Sequence, residues 1–237
     1  MSESESNTFA LILAAAGKSS RFTHGGSSEP TSKKPFAHLG GKPIWLRSVE
    51  KFTSRDDVTQ VIVVVAPNDI SWFRKYYMSE INRRLLLVVS GGEERVDSIR
   101  QGLIAVSPRV GYVAVHDAVR PCVTEQEIAA VFSAAKKHGA ALLAAPLVGT
   151  IKKVVDGQVE ATVPRENLWE AQTPQVFRRD LIIEAYQQTI RDIPTDDVQL
   201  VERLGKPVHV VPSDSGNIKI TTQSDLVRAK YLVEQGR

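Results

Sequence analysis

The segment Ala14-Ala15-Ala16-Gly17-Lys18-Ser19-Ser20-Arg21 follows directly on the apolar run Phe9 to Leu13, and Lys33-Lys34-Pro35 comes soon after. Small side chains there let a phosphate or a base approach bare backbone amides. Gly17 can take conformations closed to other residues, and Lys18 and Arg21 offset anionic charge. Two further segments have the same form. Gly91-Gly92-Glu93-Glu94-Arg95-Val96-Asp97-Ser98 opens after Leu85 to Ser90, and His116-Asp117-Ala118-Val119-Arg120-Pro121 ends a run that starts at Tyr112. A carboxylate such as Asp117 at the carboxyl edge of a parallel strand lies where open α/β sheets bind ligands, and its hard oxygens suit Mg²⁺ between phosphates. Arg165, Lys219 and Lys34 add positive charge. A phosphate cradle, cations and one metal-binding Asp are what phosphoryl or nucleotidyl transfer needs, because that chemistry rests on positioning and charge neutralisation. Taken singly, the Ala14 and Gly91 loops read equally well as tight turns, Asp117 has a lesser reading as a helix cap or turn residue, and His116 reads as strand-end packing.

The elements that must carry these loops follow from the pattern of apolar residues. Runs at Phe9 to Leu13, Gln60 to Ala66, Leu85 to Ser90, Tyr112 to His116 and Ala140 to Ala145 lack polar alternation, which predicts strands covered on both faces, as in a mainly parallel sheet. Helical patterns lie between them at Pro43 to Phe52, Asn68 to Met78, Glu94 to Val106 and Thr124 to His138, the last with a Thr cap and Glu127 three residues on. This alternation predicts a doubly wound α/β sheet of Rossmann-like form. After Pro146 the rhythm changes. Thr150 to Val155 and Val159 to Val163 flank Gly157 and read as a protruding antiparallel β-arm, marginal by itself and therefore expected to pack on another subunit. Helices at about Arg179 to Ile190, Asp196 to Leu204 and Gln223 to Glu234 and a strand at Val208 to Val211 complete the reading.

Composition narrows the class. At 237 residues and 42% hydrophobic the chain can bury one sizeable core, so a single domain over 1–237 is expected, with 147–168 as the arm and 1–7 as a disordered leader. The net charge is +3 with dispersed Lys and Arg, which argues against nucleic acid as a partner. The Ser/Glu-rich start lacks the basic n-region of a signal peptide, and the apolar run after it is too short for a membrane span. With the lone Cys122 read as a buried filler, the expectation is a cytoplasmic protein away from membranes. Gly17-Lys18-Ser19 resembles the end of a P-loop, but the first Gly of that motif would fall at Ile12, and no Gly-x-Gly-x-x-Gly is present. No Ser/His/Asp triad or metal-ligand Cys cluster stands out.

Together, Ala14 to Arg21, Lys34-Pro35, Gly91 to Ser98, His116 to Pro121, Trp169 to Thr173-Pro174-Gln175, Thr195-Asp196-Asp197 and Asn217-Ile218-Lys219 resemble the 2-C-methyl-D-erythritol 4-phosphate cytidylyltransferase family, in order from about Phe9 to Leu232. The resemblance implies transfer of CMP from CTP to methylerythritol phosphate in the non-mevalonate route to isoprenoids. It implies that Ala14, Ala15, Gly17 and Lys18, with Gly92, Glu93, Ser98 and Ala118, hold CTP. Arg21, Lys34 and Lys219 would be catalytic and Asp117 would position Mg²⁺. Asp117, Arg120, Thr150, Arg165, Thr173, Thr195 and Lys219 would surround the polyol phosphate. Thr150 and Arg165 would reach a neighbouring site across a homodimer formed through the arm. The chain departs from the family in a longer stretch from Phe22 to Lys33, expected to act as a mobile lid, in Lys33-Lys34-Pro35 where members often carry Pro-Lys-Gln, and in Glu93 where Asp is common. Lys34 keeps the spacing to Phe36 and Leu39, with Lys33 the alternative. The rival readings are a ribitol-5-phosphate cytidylyltransferase, a P-loop NTPase and a non-catalytic nucleotide-binding module.

Overall fold

The computed structural model describes residues 6–17, 19, 22, 33–188 and 192–237. In chain order the elements are β1 (Phe9–Ala15), β2 (His38–Leu39), β3 (Lys42–Pro43), α1 (Ile44–Thr53), β4 (Val58–Val65), α2 (Ile70–Tyr76), α3 (Met78–Arg83), β5 (Leu87–Ser90), α4 (Arg95–Ile104), β6 (Tyr112–Asp117), α5 (Glu125–His138) and β7 (Ala140–Pro146). They continue as β8 (Ile151–Val155), β9 (Gln158–Val163), β10 (Trp169–Arg178), α6 (Arg179–Gln187), α7 (Val198–Arg203), β11 (His209–Pro212) and α8 (Gln223–Glu234). Among the described residues, seven strands form one sheet in the order β11-β7-β10-β6-β1-β4-β5. Every neighbouring pair is parallel except the two made by β10, which runs antiparallel to β6 and β7.

The apolar runs form central strands because both of their faces are covered. Phe9, Leu11, Leu13 and Ala15 of β1 pack with Trp45, Val49 and Phe52 of α1 and with Ile128, Val131 and Phe132 of α5. Ala10 and Ile12 face the opposite layer, where Val96, Ile99 and Leu103 of α4 meet Ile182 and Ala185 of α6. This alternation across one pleated strand gives the doubly wound arrangement. Ile12 is fully buried inside β1, which leaves no P-loop there. The Thr124–Glu127 capping box starts α5, with Glu127 N donating to Thr124 Oγ1 at 3.2 Å and Thr124 N donating to Glu127 Oε2 at 2.8 Å.

Several elements differ from the sequence expectation. The segment Trp169–Arg178, read only as a motif, is the longest strand of the sheet and lies inside it, between β7 and β6. A helix over 68–78 is instead α2 and α3, broken at Tyr77, whose ψ of 22° leaves the helical region. The strand expected from Leu85 begins at Leu87, because Leu85 has φ of +51° and is exposed. The expected helix over 179–190 ends at Gln187, and residues 189–191 lie outside the described residues. So do 1–5 of the leader and 23–32 of the expected lid. Ser6 and Asn7 are described, and Ser6 Oγ lies 2.6 Å from Thr8 Oγ1.

The arm is an antiparallel pair, β8 with β9, turned at Asp156 (φ +49°) and Gly157 (φ +79°). Positive φ at both central residues is the hairpin turn whose twist matches its strands, and Asp-Gly is suited to it. A third apolar cluster lies beside the sheet. Ile218 and Ile220 pack there with Val119, Cys122, Ile44 and Ala229, and Leu226, Leu232 and Val233 of α8 lie against them. Among the described residues no helix is long and apolar enough to cross a membrane.

Candidate active site

The sheet order reverses between β4 and β6, which lie on either side of β1. In open α/β sheets the crevice beyond the carboxyl ends of the strands at such a reversal is where ligands bind. Ala14 of β1 pairs with Asp117 of β6, and Ala118 N donates to Ala14 O at 3.1 Å, so the first and third sequence motifs meet there. The Gly-rich loop before α4 closes the other wall. A side chain at Gly91 would meet Ser98 Oγ at 2.7 Å and Ala16 Cβ at 2.8 Å, so only glycine lets this backbone lie so close to the β1 loop. Gly92 N then donates to Ser98 Oγ at 3.1 Å.

A cleft of about 320 Å³ results. It is lined by Ala14, Ala16, Gly17 and Ser19, by Lys34 and Pro35, by Glu93 to Arg95 and Ser98, and by Asp117, Val119 and Lys219. A second compartment of about 200 Å³ adjoins it, lined by Arg120, Ala171, Thr173, Gln175, Thr195 and Asp196. Arg95, Asp117 and Lys219 line both.

Asp117 is the anionic hub of the boundary. Its Oδ2 lies 2.8 Å from Lys219 Nζ and 3.6 Å from Arg120 Nε, and its Oδ1 lies 3.7 Å from Arg95 Nε. Burial pushes the Asp117 carboxyl upward, but Lys219, Arg95 and Arg120 outweigh it and hold the group well below the usual carboxylate range. Three cations surround this one buried carboxylate, Arg95 being shared with Asp197, and so line the boundary where anionic ligands of the two compartments would meet. The placement of Lys219 follows from its neighbours. Ile218 and Ile220 on either side are buried in the third cluster, and Ile220 N donates to Val119 O at 2.9 Å.

Arg95 belonged to the second motif, but its role was not legible in sequence. Its Nη2 donates to Asp197 Oδ2 at 2.7 Å. Asp197 is fully buried and also accepts from Tyr186 Oη at 2.5 Å. Gln175 Oε1 accepts from Asp197 N at 3.0 Å and from Val198 N at 3.1 Å, which ties β10 to α7 and explains a buried glutamine in a central strand. The partner Asp197 lies far along the chain, and no local spacing points to it.

His116 is fully buried and holds the Asp117–Arg120 turn from below. Asp117 N donates to Thr173 Oγ1 at 3.0 Å, that hydroxyl lies 3.1 Å from His116 Nδ1, and His116 Nε2 lies 3.1 Å from Arg120 O. One tautomer satisfies all three contacts: Nε2 carries the proton and donates to the carbonyl, and Nδ1 accepts from the hydroxyl. Burial pushes the His116 pKa down to about 4, against the pull of Asp117. His116 lines neither compartment and is structural. Cys122 is likewise buried, and burial pushes its thiol up to about 11.

Of the residues expected from sequence, Ala14, Gly17, Glu93, Ser98, Asp117, Lys34 and Lys219 line the cleft, and Arg120, Thr173 and Thr195 line the second compartment. Ala15 turns into the core and Ala118 is buried, and neither lines the cleft. Gly92 acts through its amide on Ser98. Thr150 and Arg165 sit exposed at the base of the arm, line neither compartment, and Arg165 Nη1 donates to Val148 O. Lys18 and Arg21 lie outside the described residues. Lys33 turns away from the cleft, its Nζ at 2.6 and 2.7 Å from the two carboxylate oxygens of Asp69.

A family model for 2-C-methyl-D-erythritol 4-phosphate cytidylyltransferase matches residues 9–235. Proteins of that name from Solibacter usitatus (strain Ellin6076) and Pelotomaculum thermopropionicum (strain DSM 13744 / JCM 10971 / SI) are each 40% identical to this chain, over 95% and 96% of it and 96% of each relative. The crystal structure of the Francisella tularensis protein of that name matches with a TM-score of 0.77 at 29% identity, covering 95% of this chain and 99% of its own. The Thermus thermophilus structure gives 0.76 at 29% identity, covering 94% and 98%. The match spans both compartments and every strand of the sheet, and the chain belongs to the 2-C-methyl-D-erythritol 4-phosphate cytidylyltransferase family.

Proposed function

We propose that the chain transfers CMP from CTP to 2-C-methyl-D-erythritol 4-phosphate, giving 4-diphosphocytidyl-2-C-methyl-D-erythritol and pyrophosphate in the non-mevalonate isoprenoid route. The observation that supports this most directly is a nucleotide-sized cleft and a smaller polar compartment that share Arg95, Asp117 and Lys219. CTP occupies the cleft, with its base toward Gly92, Glu93 and Ser98 and its triphosphate on the Ala14 to Lys18 loop. The polyol phosphate occupies the second compartment against Arg120, Thr173 and Thr195. A phosphate oxygen of the acceptor attacks the α-phosphorus of CTP in line. A new P–O bond forms, the bond to the bridging β-phosphate oxygen breaks, and pyrophosphate leaves with the electron pair. The acceptor phosphate is ionised at neutral pH, so no general base is needed. Lys34 and Lys219, with Arg21, offset the charge that grows on the α-phosphate.

Mg²⁺ fits this arrangement as a passenger of the triphosphate. Among the described residues no group of three or more His, Cys, Asp or Glu could cage a metal; Asp117, whose Oδ2 is paired with Lys219 at 2.8 Å, would offer its Oδ1 to an ion that takes most of its ligands from phosphates and water. When bound, the ion neutralises phosphate charge. Thr150 and Arg165 serve the site of a second subunit in a homodimer joined through the arm, and the enzyme works in the cytoplasm. Pyrophosphate release from CTP and Mg²⁺, dependent on methylerythritol phosphate, tests the reading. A higher kcat/KM for ribitol phosphate, or phosphate release without an acceptor, would overturn it.

A further inference from the structure

The Lys33 ammonium is clamped by Asp69. That carboxylate is 3% exposed, sits at the start of α2 without capping it, and has both oxygens on Lys33 Nζ, at 2.7 and 2.6 Å. The clamp lies directly before the one-turn helix Lys34–Phe36 that presents Lys34 to the cleft. The carbonyl of Lys33 starts that turn, accepting from Phe36 N at 3.0 Å and Ala37 N at 3.1 Å. Two other anchors hold the turn. Lys34 N donates to Ser19 Oγ at 3.1 Å, and the fully buried Phe36 ring packs 5.2 Å from Trp72 and 5.7 Å from Phe73, both on α2. The turn is therefore fixed to α2 at both ends, by an ion pair before Lys34 and by an aromatic contact after it.

We propose that Asp69 is a positioning residue for the transfer reaction: through Lys33 it fixes the turn that aims Lys34 at the α-phosphate of CTP. This rests on the function proposed above. Asp69 touches no substrate; it acts by keeping the Lys34 ammonium in one place before CTP arrives, and displacing such a group by about 1 Å can cost up to about a hundredfold in rate.

The test compares Asp69→Asn, Lys33→Met and the double variant with the wild-type chain in steady-state pyrophosphate release. Each single variant is expected to lose about tenfold in kcat, with the KM for CTP changed less than about twofold. The double variant is expected to lose no more than either single one, because both remove the same contact. Lys33→Arg, which keeps the ion pair, is expected to recover most of the rate. Acylation of Lys34 by an amine reagent, read by peptide mass spectrometry, is expected to lose part of its protection by CTP in both single variants. Wild-type kcat in the folded single variants, or losses that multiply in the double variant, would overturn the proposal. If Asp69→Asn does not fold, Lys33→Met decides in the same way, since its side chain is partly exposed. A wild-type chain that releases no pyrophosphate would sink the transfer reading itself, an outcome separate from a failure of the clamp.

Discussion

Lys33 and Lys34 are neighbours in sequence with opposite surroundings, and spacing to Phe36 and Leu39 favoured Lys34 while leaving Lys33 as the alternative. One ends on a buried carboxylate and the other lines the cleft. A Lys34→Ala change is therefore expected to lower kcat by about 10²- to 10³-fold while moving the KM for CTP far less, since the ammonium acts on charge that develops in the transition state. Steady-state kinetics check this; a normal kcat with a raised KM would assign Lys34 to ground-state binding. The residues legible from sequence were those in loops with a local signature, such as Gly91 to Ser98. Arg95 was inside that signature and still unread. Its worth comes from Asp197 and Asp117, brought to it by the sheet and not by proximity in the chain.

The position of α4 is what delivers Arg95 and Ser98 to the cleft, and α4 sits close to β1 because Gly102 faces the strand. A Cβ at Gly102 would meet Ile12 Cγ2 at 2.8 Å and Val64 Cγ2 at 3.3 Å. Gly102→Val is expected to destabilise the fold by about 2 kcal/mol through overpacking of a filled interface. It is also expected to raise the KM for CTP as the helix moves outward. Urea unfolding and kinetics on the same preparation check both; unchanged stability would mean the helix already has room. The buried parallel strands were legible because continuous Val, Leu, Ile and Ala runs have few other fates. β10 was hidden by its own chemistry. Gln172, Thr173, Pro174 and Gln175 stand in its middle, and polar residues with a proline argue against a central strand. They persist because buried hydrogen bonds hold them. Gln172 Nε2 donates to Asp214 O at 3.0 Å, and Asn217 Nδ2 donates to Thr173 O at 3.0 Å. The site imposed this departure from the apolar pattern.

The stability of the whole molecule should carry the signature of its buried histidine. The His116 pKa stands near 4 in the fold, pushed down by burial from an ordinary 6.5. Below pH 6.5 the unfolded chain binds a proton that the native chain refuses, so this contribution is complete above pH 6.5 and is lost as the pH falls toward 4. The loss amounts to about 3 kcal/mol. Asp117 adds its own loss only at lower pH, because its native pKa lies below the ordinary 3.8. Urea midpoints between pH 7 and 4 should fall in wild type and fall much less in His116→Gln; equal slopes would show that other groups set the acid limit. The arm carries a different expectation for the whole assembly. Its turn was legible from Asp156-Gly157, but its purpose is not visible in one chain, where the strands stand exposed and Thr150 and Arg165 line no compartment. If the arm completes a neighbour's site, Arg165→Ala and Lys34→Ala each inactivate the homodimer, yet a mixture need not be inactive. In a heterodimer one site combines intact Lys34 with the partner's intact arm, and the other site carries both defects. Random exchange makes half of the dimers mixed, so the mixture should recover about a quarter of wild-type activity. Activity measured after co-refolding the two inactive variants checks this. Arms that act within their own chain would leave the mixture as inactive as its parts.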